Sequence, residues 1–141
     1  MHIVVLAPGA GYDQSSLGSL PETARVTVVA WEGKRPDVDT VSLHRPGGLA
    51  ARVSKAAAKT MPGRVLVRLT PLDPGATFFR ATRASAAARE AIRSADVLVA
   101  AERDAAYAAW RWAKAAARAE ATLSAVYGYP AGRAAVEQVA G

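Results

Sequence analysis

Residues 3–18, IVVLAPGAGYDQSSLG, begin with an apolar, β-branched run and turn into glycine and polar residues after Ala7. The run is continuous rather than alternating, which is typical of a strand that is covered on both faces, as in a parallel sheet. The first strand is therefore predicted over residues 2–7. Similar segments predict strands over residues 25–31, 41–43, 64–69, 96–100 and 122–126.

Helical segments separate the later strands. They are predicted over residues 48–61, from Pro74 to about Ser94, from Glu102 to about Glu120, and from Pro130 to about Ala140. Asp73 can cap the second of these helices, since aspartate is a favoured N-cap residue. Pro74, which follows it, suits the first turn of a helix. Alternating strands and helices are typical of right-handed βαβ units. The sequence thus predicts one three-layer, Rossmann-like α/β domain over residues 1–141, with a mostly parallel sheet of five or six strands.

Composition excludes several functions. The chain has no cysteine and only two histidines, so disulfides, thiolate chemistry and a histidine-rich metal site are not expected. No apolar run approaches the ~20 residues that a membrane span requires, and no basic leader precedes the first apolar run. We expect a cytoplasmic protein without a metal or a cofactor. The net charge of +6 indicates either an anionic partner or an arginine-rich composition alone.

The glycine-rich stretch after the first strand departs from both standard phosphate loops. Gly9 and Gly11 match a dinucleotide fingerprint, but its third glycine is replaced by Gln14. A Walker loop needs a glycine-lysine pair, and the first lysine of the chain is Lys34. Two interpretations remain open. The stretch is a ligand-facing loop that uses Tyr12, Asp13 and Gln14, or it is a turn whose glycines relieve strain.

Polar side chains follow the carboxyl ends of the predicted strands, where ligands bind in open α/β sheets. The predicted ligand-binding residues are Gly9, Gly11, Tyr12, Gln14, Glu32, Arg45, Glu102, Arg103 and Tyr127. The predicted catalytic residues are His44, as a general base near neutral pH, and Asp13. A structural role for His44, and helix-dipole complementation by Glu102, are the open alternatives.

The helix predicted from Glu102 carries a basic stripe. Its members are Arg103, Tyr107, Arg111, Lys114 and Arg118, which share one side at 100° per residue. Such a stripe is usually a solvated face, and nucleic acid is not an expected partner because no nucleic-acid motif accompanies it. Trp110 and Trp112 are two residues apart and cannot share a face. One is expected to anchor the core and the other to lie at a partner surface.

Three segments resemble the N-terminal, acceptor-side half of a GT-B type glycosyltransferase of the sort found in actinobacteria. They are HIVVLAPG at residues 2–9, VTVVAWEG at residues 26–33 and SADVLVAAERDAAYAAWRWAKAA at residues 94–116. In that family a second Rossmann-like half binds the nucleotide sugar, and we do not expect that half within these 141 residues. The resemblance implies acceptor-side positions in residues 9–13 and at His44.

Three functional hypotheses follow, and the third of them is an anion or nucleic-acid binder that uses the basic stripe and whose affinity falls steeply with salt. The first is an acceptor-side half domain that binds a carbohydrate or natural-product acceptor, together with a separate donor-binding chain. The second is a non-catalytic Rossmann-like module that binds a protein partner or forms a homo-oligomer. The first requires a polar cleft at the carboxyl edge of the sheet. The second requires an exposed apolar patch, which Trp110 or Trp112 could supply.

Overall fold

The computed structural model of the protein describes residues 1–9, 12–32, 38–45, 47 and 73–141. Five strands lie within them: β1 (His2–Leu6), β2 (Arg25–Trp31), β3 (Asp39–Leu43), β4 (Val97–Ala100) and β5 (Ser124–Tyr127). They form one sheet in the order β3-β2-β1-β4-β5. Every neighbouring pair in that order is parallel.

The centre of this sheet is apolar on both faces. Val5 of β1 lies between Val28 of β2 and Val99 of β4, and none of the three is exposed to solvent. A strand that is covered on both faces has no side that faces water, so all of its residues can be apolar. This burial accounts for the continuous β-branched runs in the sequence. The prediction of a parallel sheet is therefore confirmed. The strand predicted over residues 64–69 and the helix predicted over residues 48–61 fall outside the described residues.

Four α-helices lie within the described residues: α1 (Pro74–Ala84), α2 (Ala86–Arg93), α3 (Arg103–Arg118) and α4 (Tyr129–Ala140). Asp73 caps α1 as predicted, because its carboxylate accepts a 3.0 Å hydrogen bond from the amide of Ala76. The single helix expected from Pro74 to Ser94 is wrong, since Ser85 interrupts it with extended backbone angles. The Ser85 hydroxyl accepts a hydrogen bond from the amide of Ala88 and so begins α2.

Helices cover both faces of the sheet and make three layers. On one face, Val4, Leu6 and Leu98 pack with residues of α1, α2 and α3 around the fully buried Phe78. On the other face, Ile3, Val5 and Val99 pack with Leu17 and with Val136 of α4. This arrangement is a Rossmann-like α/β domain.

The described part of the connection from β1 to β2 contains a short 3₁₀ helix, Gln14–Leu17. It ends at Gly18, whose φ of 74° favours glycine. None of the helices in the described ranges is long and apolar enough to cross a membrane.

Candidate functional site

The candidate site lies where the chain changes direction across the sheet. From β1 the chain proceeds to β2 and β3 on one side, whereas β4 and β5 lie on the other side of β1. The loops that follow β1 and β4 therefore diverge at a topological switch point, where open α/β sheets bind ligands. We call the space between these two loops, around Gly9 and Glu102, the switch-point crevice.

One hydrogen bond crosses the switch-point crevice. The backbone amide of Gly9 donates to Oε1 of Glu102 over 2.9 Å. A Cβ at position 9 would lie only 2.5 Å from Oε2 of Glu102, so the carboxylate rests directly against the glycine backbone. Glycine is suited to this position because the close approach leaves no space for a side chain.

Glu102 occupies the N-cap position of α3, yet its side chain caps nothing in that helix. The carboxylate instead turns to the loop after β1. A negative charge near a helix N-terminus interacts favourably with the helix dipole, so the two roles expected for Glu102 are compatible. In dinucleotide sites, amides of the loop after the first strand bind phosphate. Here the amide of Gly9 in that loop binds the carboxylate of Glu102 instead.

Tyr12 and Asp13 have structural roles that their sequence positions did not reveal. Tyr12 is only 4% exposed and packs in the core, with its ring centroid 6.3 Å from that of Tyr129. Asp13 is the N-cap of the 3₁₀ helix, and its carboxylate accepts a 2.6 Å hydrogen bond from the hydroxyl of Ser15. Gln14 is the first residue of that helix, and Gly11 is outside the described residues. Ligand binding by these residues remains a prediction.

A second group of predicted site residues follows β2 and β3. Arg45 extends over the ring of Trp31, with its guanidinium carbon 5.8 Å from the ring centroid. Glu32 has a φ of 27°, which is uncommon for a residue with a side chain, and its amide donates to the carbonyl of Leu43. His44 is exposed directly after β3. His44 and Arg45 follow β3, which is two strands, or about 10 Å, from β1, whereas Glu32 follows the neighbouring strand β2.

The remaining predicted residues lie on the β4 and β5 side. Arg103 is the exposed first residue of α3, next to Glu102. Tyr127 ends β5, pairs with Ala100 of β4 and is 61% exposed. The sheet thus brings Gly9 and Glu102 together, with Arg103 next to Glu102 in the chain. Tyr127 follows the neighbouring strand β5, which is two strands from β1. The crossing bond itself was missed, because no sequence pattern links residues 9 and 102.

The described residues contain no group of three histidine, cysteine or carboxylate side chains that could hold a metal ion. No family model matches the chain, and no curated protein or solved structure matches it either. The structure therefore defines the class of protein as a Rossmann-like α/β domain, and its site has to be interpreted from the contacts alone.

Proposed function

We propose that the switch-point crevice binds a neutral, hydroxyl-bearing small molecule, such as a carbohydrate or a natural-product acceptor. The chain would then act as the acceptor-side half of a GT-B type glycosyltransferase and work with a separate donor-binding chain. The observation that carries the proposal is the contact between the Glu102 carboxylate and the Gly9 amide.

The charge of Glu102 favours hydroxyl groups over phosphates. A carboxylate accepts hydrogen bonds from hydroxyl donors, and such charge-assisted bonds are stronger than neutral ones. A phosphate at the same loop amide would instead meet a like charge at contact distance. A nucleotide or sugar phosphate is therefore disfavoured where Glu102 lies, whereas a polyol gains a strong acceptor.

Tyr127 supports the same ligand class. Its ring ends β5 beside β4, the strand that leads to Glu102, and most of its surface is open to solvent. An exposed tyrosine offers an apolar ring face and a hydroxyl together. Ligand sites commonly combine apolar surface with a few polar groups that fix orientation, and Tyr127 with Glu102 meets that description.

The proposal concerns acceptor binding and does not assign a chemical step to the chain. Asp13 is engaged with Ser15 as a helix cap, and His44 lies two strands from β1. A general base has to reach the proton that it removes, directly or through one water. The predicted catalytic role of His44 thus depends on a ligand long enough to extend across β2, whereas that of Asp13 requires its carboxylate to leave the Ser15 hydroxyl.

Saturation-transfer NMR with a panel of neutral mono- and disaccharides tests the proposal. We expect at least one sugar to bind the wild-type protein and to bind Glu102→Gln about fivefold or more weakly, because a neutral acceptor replaces a charged one. Glu137→Gln, an equal charge change at an exposed position of α4, is the matched control and should bind as the wild type does. Absence of sugar binding, or equal affinities of the two variants, would contradict the proposal.

A second function, self-association, is favoured by the outer surface of α3. Trp110 is 54% exposed and Tyr107 is 36% exposed, with 6.0 Å between their ring centroids. Trp112, in contrast, packs against the core, which confirms that only one of the two tryptophans is a core anchor. Exposed paired aromatics are typical of protein interfaces.

Sedimentation measurements over a range of protein concentration test this second function. The wild-type protein should self-associate, Trp110→Ser should be monomeric, and Val139→Ser should behave as the wild type does. Val139 is a suitable control because it is a 47% exposed apolar residue of α4, on the other face of the sheet. A wild-type protein that is monomeric throughout would exclude self-association through Trp110.

A further inference from the structure

A basic groove runs between α3 and the pair α1 and α2, on the outside of the helical layer. Its volume is about 570 Å³. The cationic residues that line it are Arg83, Arg89, Arg93, Arg111, Lys114 and Arg118. Phe79 and Trp112 are its aromatic lining residues, and no carboxylate side chain lines it. We use the name basic groove for this set of residues.

These cations have no carboxylate partners among the described residues. An ion pair elsewhere in the described residues joins Arg25 to Asp39, on β2 and β3. Six cationic side chains therefore line one groove, and none of them is paired with a carboxylate of the described residues. Like charges that converge in this way repel one another, and a bound anion would relieve the repulsion.

Two of the cations, Arg111 and Arg89, are held in position by contacts within the protein. The guanidinium of Arg111 lies 4.8 Å from the centroid of Phe79 and donates a 2.8 Å hydrogen bond to the hydroxyl of Tyr107. Arg89 donates to the last carbonyls of α1, those of Arg83 and Ala84. Arginine ordered before binding loses less entropy when a ligand arrives.

The aromatic lining is fixed as well. Phe79 is 8% exposed and packs edge-on against Trp112, with 6.0 Å between the ring centroids. The indole nitrogen of Trp112 donates a 3.0 Å hydrogen bond to the hydroxyl of Thr82, which is fully buried. The cations therefore project from a rigid apolar support, as ligand sites usually require.

We propose that the basic groove binds a small polyanion that carries several phosphate groups. Guanidinium groups match phosphate oxygens through paired hydrogen bonds, and five of the six cations are arginines. A volume near 570 Å³ lies within the range of small-molecule sites. The groove is made by helices on one face of the sheet and includes neither Gly9 nor Glu102, so this proposal is independent of acceptor binding at the switch-point crevice.

A small ligand fits the groove better than a nucleic-acid strand does. Binding to a strand requires cations that follow an extended backbone over several nucleotides. The stripe predicted along α3 does not supply such a track, since Arg111, Lys114 and Arg118 line the groove whereas Arg103 does not. The other three cations belong to α1 and α2, so the charges enclose a space instead of following a line.

Inorganic tripolyphosphate is the test ligand, and its binding can be measured by isothermal titration calorimetry. We expect saturable binding with one site per chain, an affinity that falls as salt is added, and amide NMR shifts confined to α1, α2 and α3. Arg93→Gln and Arg118→Gln should each weaken binding about fivefold, because each removes one charge-assisted contact from an exposed position. Thermal melting of each variant confirms that the fold is unchanged.

The matched control is Arg133→Gln, which makes the same charge change on an exposed position of α4. It should bind tripolyphosphate within about twofold of the wild type. Equal weakening by all three variants would show attraction to net charge and would overturn the proposal. Absence of saturable binding, or tighter binding of a single-stranded oligonucleotide or an acidic peptide than of tripolyphosphate, would overturn it as well.

Discussion

The backbone amide of Gly9 and the carboxylate of Glu102, 93 residues apart in the sequence, are joined by a 2.9 Å hydrogen bond. The bond connects the loop after β1 to the start of α3, across the switch point of the sheet. It places the carboxylate of Glu102 against the backbone of Gly9 in the switch-point crevice. The ligand class proposed for the crevice depends on this one contact.

Gly9→Ala should separate the two residues at little cost to the fold. The added Cβ would lie 2.5 Å from Oε2 of Glu102, at the end of a flexible side chain that can move away. We expect the free energy of unfolding to fall by about 0.5–1.5 kcal/mol, the value of one hydrogen bond. Urea denaturation measures the change, and a larger loss would indicate that the loop after β1 is packed more tightly than the contact implies.

Gly75→Ala should destabilise the protein more than Gly9→Ala does. Gly75 is buried in the first turn of α1, where a Cβ would lie 3.1 Å from the carbonyl oxygen of Asp104 and 3.1 Å from Cβ of Tyr107. Backbone atoms of α3 cannot move as a side chain can, so α1 and α3 would have to separate. We expect a cost of about 1–3 kcal/mol in urea denaturation.

The control for Gly75→Ala is Gly47→Ala, at an exposed position where the added Cβ would meet no described atom within 4 Å. Its stability should stay within about 0.5 kcal/mol of the wild type. Equal stabilities of the Gly75→Ala and Gly47→Ala variants would disprove the close approach of α1 to α3.

Thr82→Val should leave the indole N–H of Trp112 without its acceptor. The Thr82 hydroxyl accepts that bond over 3.0 Å and donates to the carbonyl of Phe79 over 2.7 Å. We expect a loss of about 1–3 kcal/mol, because a partly buried donor becomes unsatisfied. A double-mutant cycle with Trp112→Phe checks the cause, since the two effects should not add. Additive effects would mean that the two side chains act independently.

Ser85→Ala should weaken the boundary between α1 and α2. Ser85 has a ψ of 122°, and its hydroxyl accepts a 3.2 Å hydrogen bond from the amide of Ala88. Removal of an N-cap of this kind costs about 1 kcal/mol. Thermal unfolding followed by circular dichroism should show this loss, whereas Ser19→Ala, in an exposed loop, should show none. An unchanged Ser85→Ala variant would mean that tertiary packing alone breaks the helix.

The sheet was predictable from the sequence because strands that are buried on both faces consist of continuous apolar runs. The run IVVL of β1 and the run VLV of β4 contain no polar residue, and both are fully buried. Parallel pairing follows from such runs when helices separate them. The cap at Asp73 was predictable for a similar reason, since an aspartate before proline is a local signal.

The interruption of the helix at Ser85 was not predictable from the local pattern. Alanines surround Ser85, and their high helix propensity favours one continuous helix. A serine can either lie on a helix surface or cap a new helix, and packing decides between these alternatives. The burial of Tyr12 was missed for an equivalent reason, because a tyrosine among glycines and polar residues is typical of an exposed loop.

Only the α3 side of the basic groove could be predicted from the sequence. The spacing of Arg111, Lys114 and Arg118 along α3 indicated one basic side. Their neighbours Arg83, Arg89 and Arg93 come from α1 and α2, and only the tertiary packing of these helices brings the two sets together. The Gly9 to Glu102 bond likewise joins distant loops that no periodicity relates.

We propose above that the switch-point crevice accepts neutral polyols and rejects phosphates. The most direct test is the amide signal of Gly9 in nitrogen-correlated NMR spectra, with neutral sugars and pyrophosphate added in separate titrations. We predict that a binding sugar shifts the Gly9 signal and that pyrophosphate leaves it in place. A Gly9 signal that moves with pyrophosphate and not with any sugar would contradict the account.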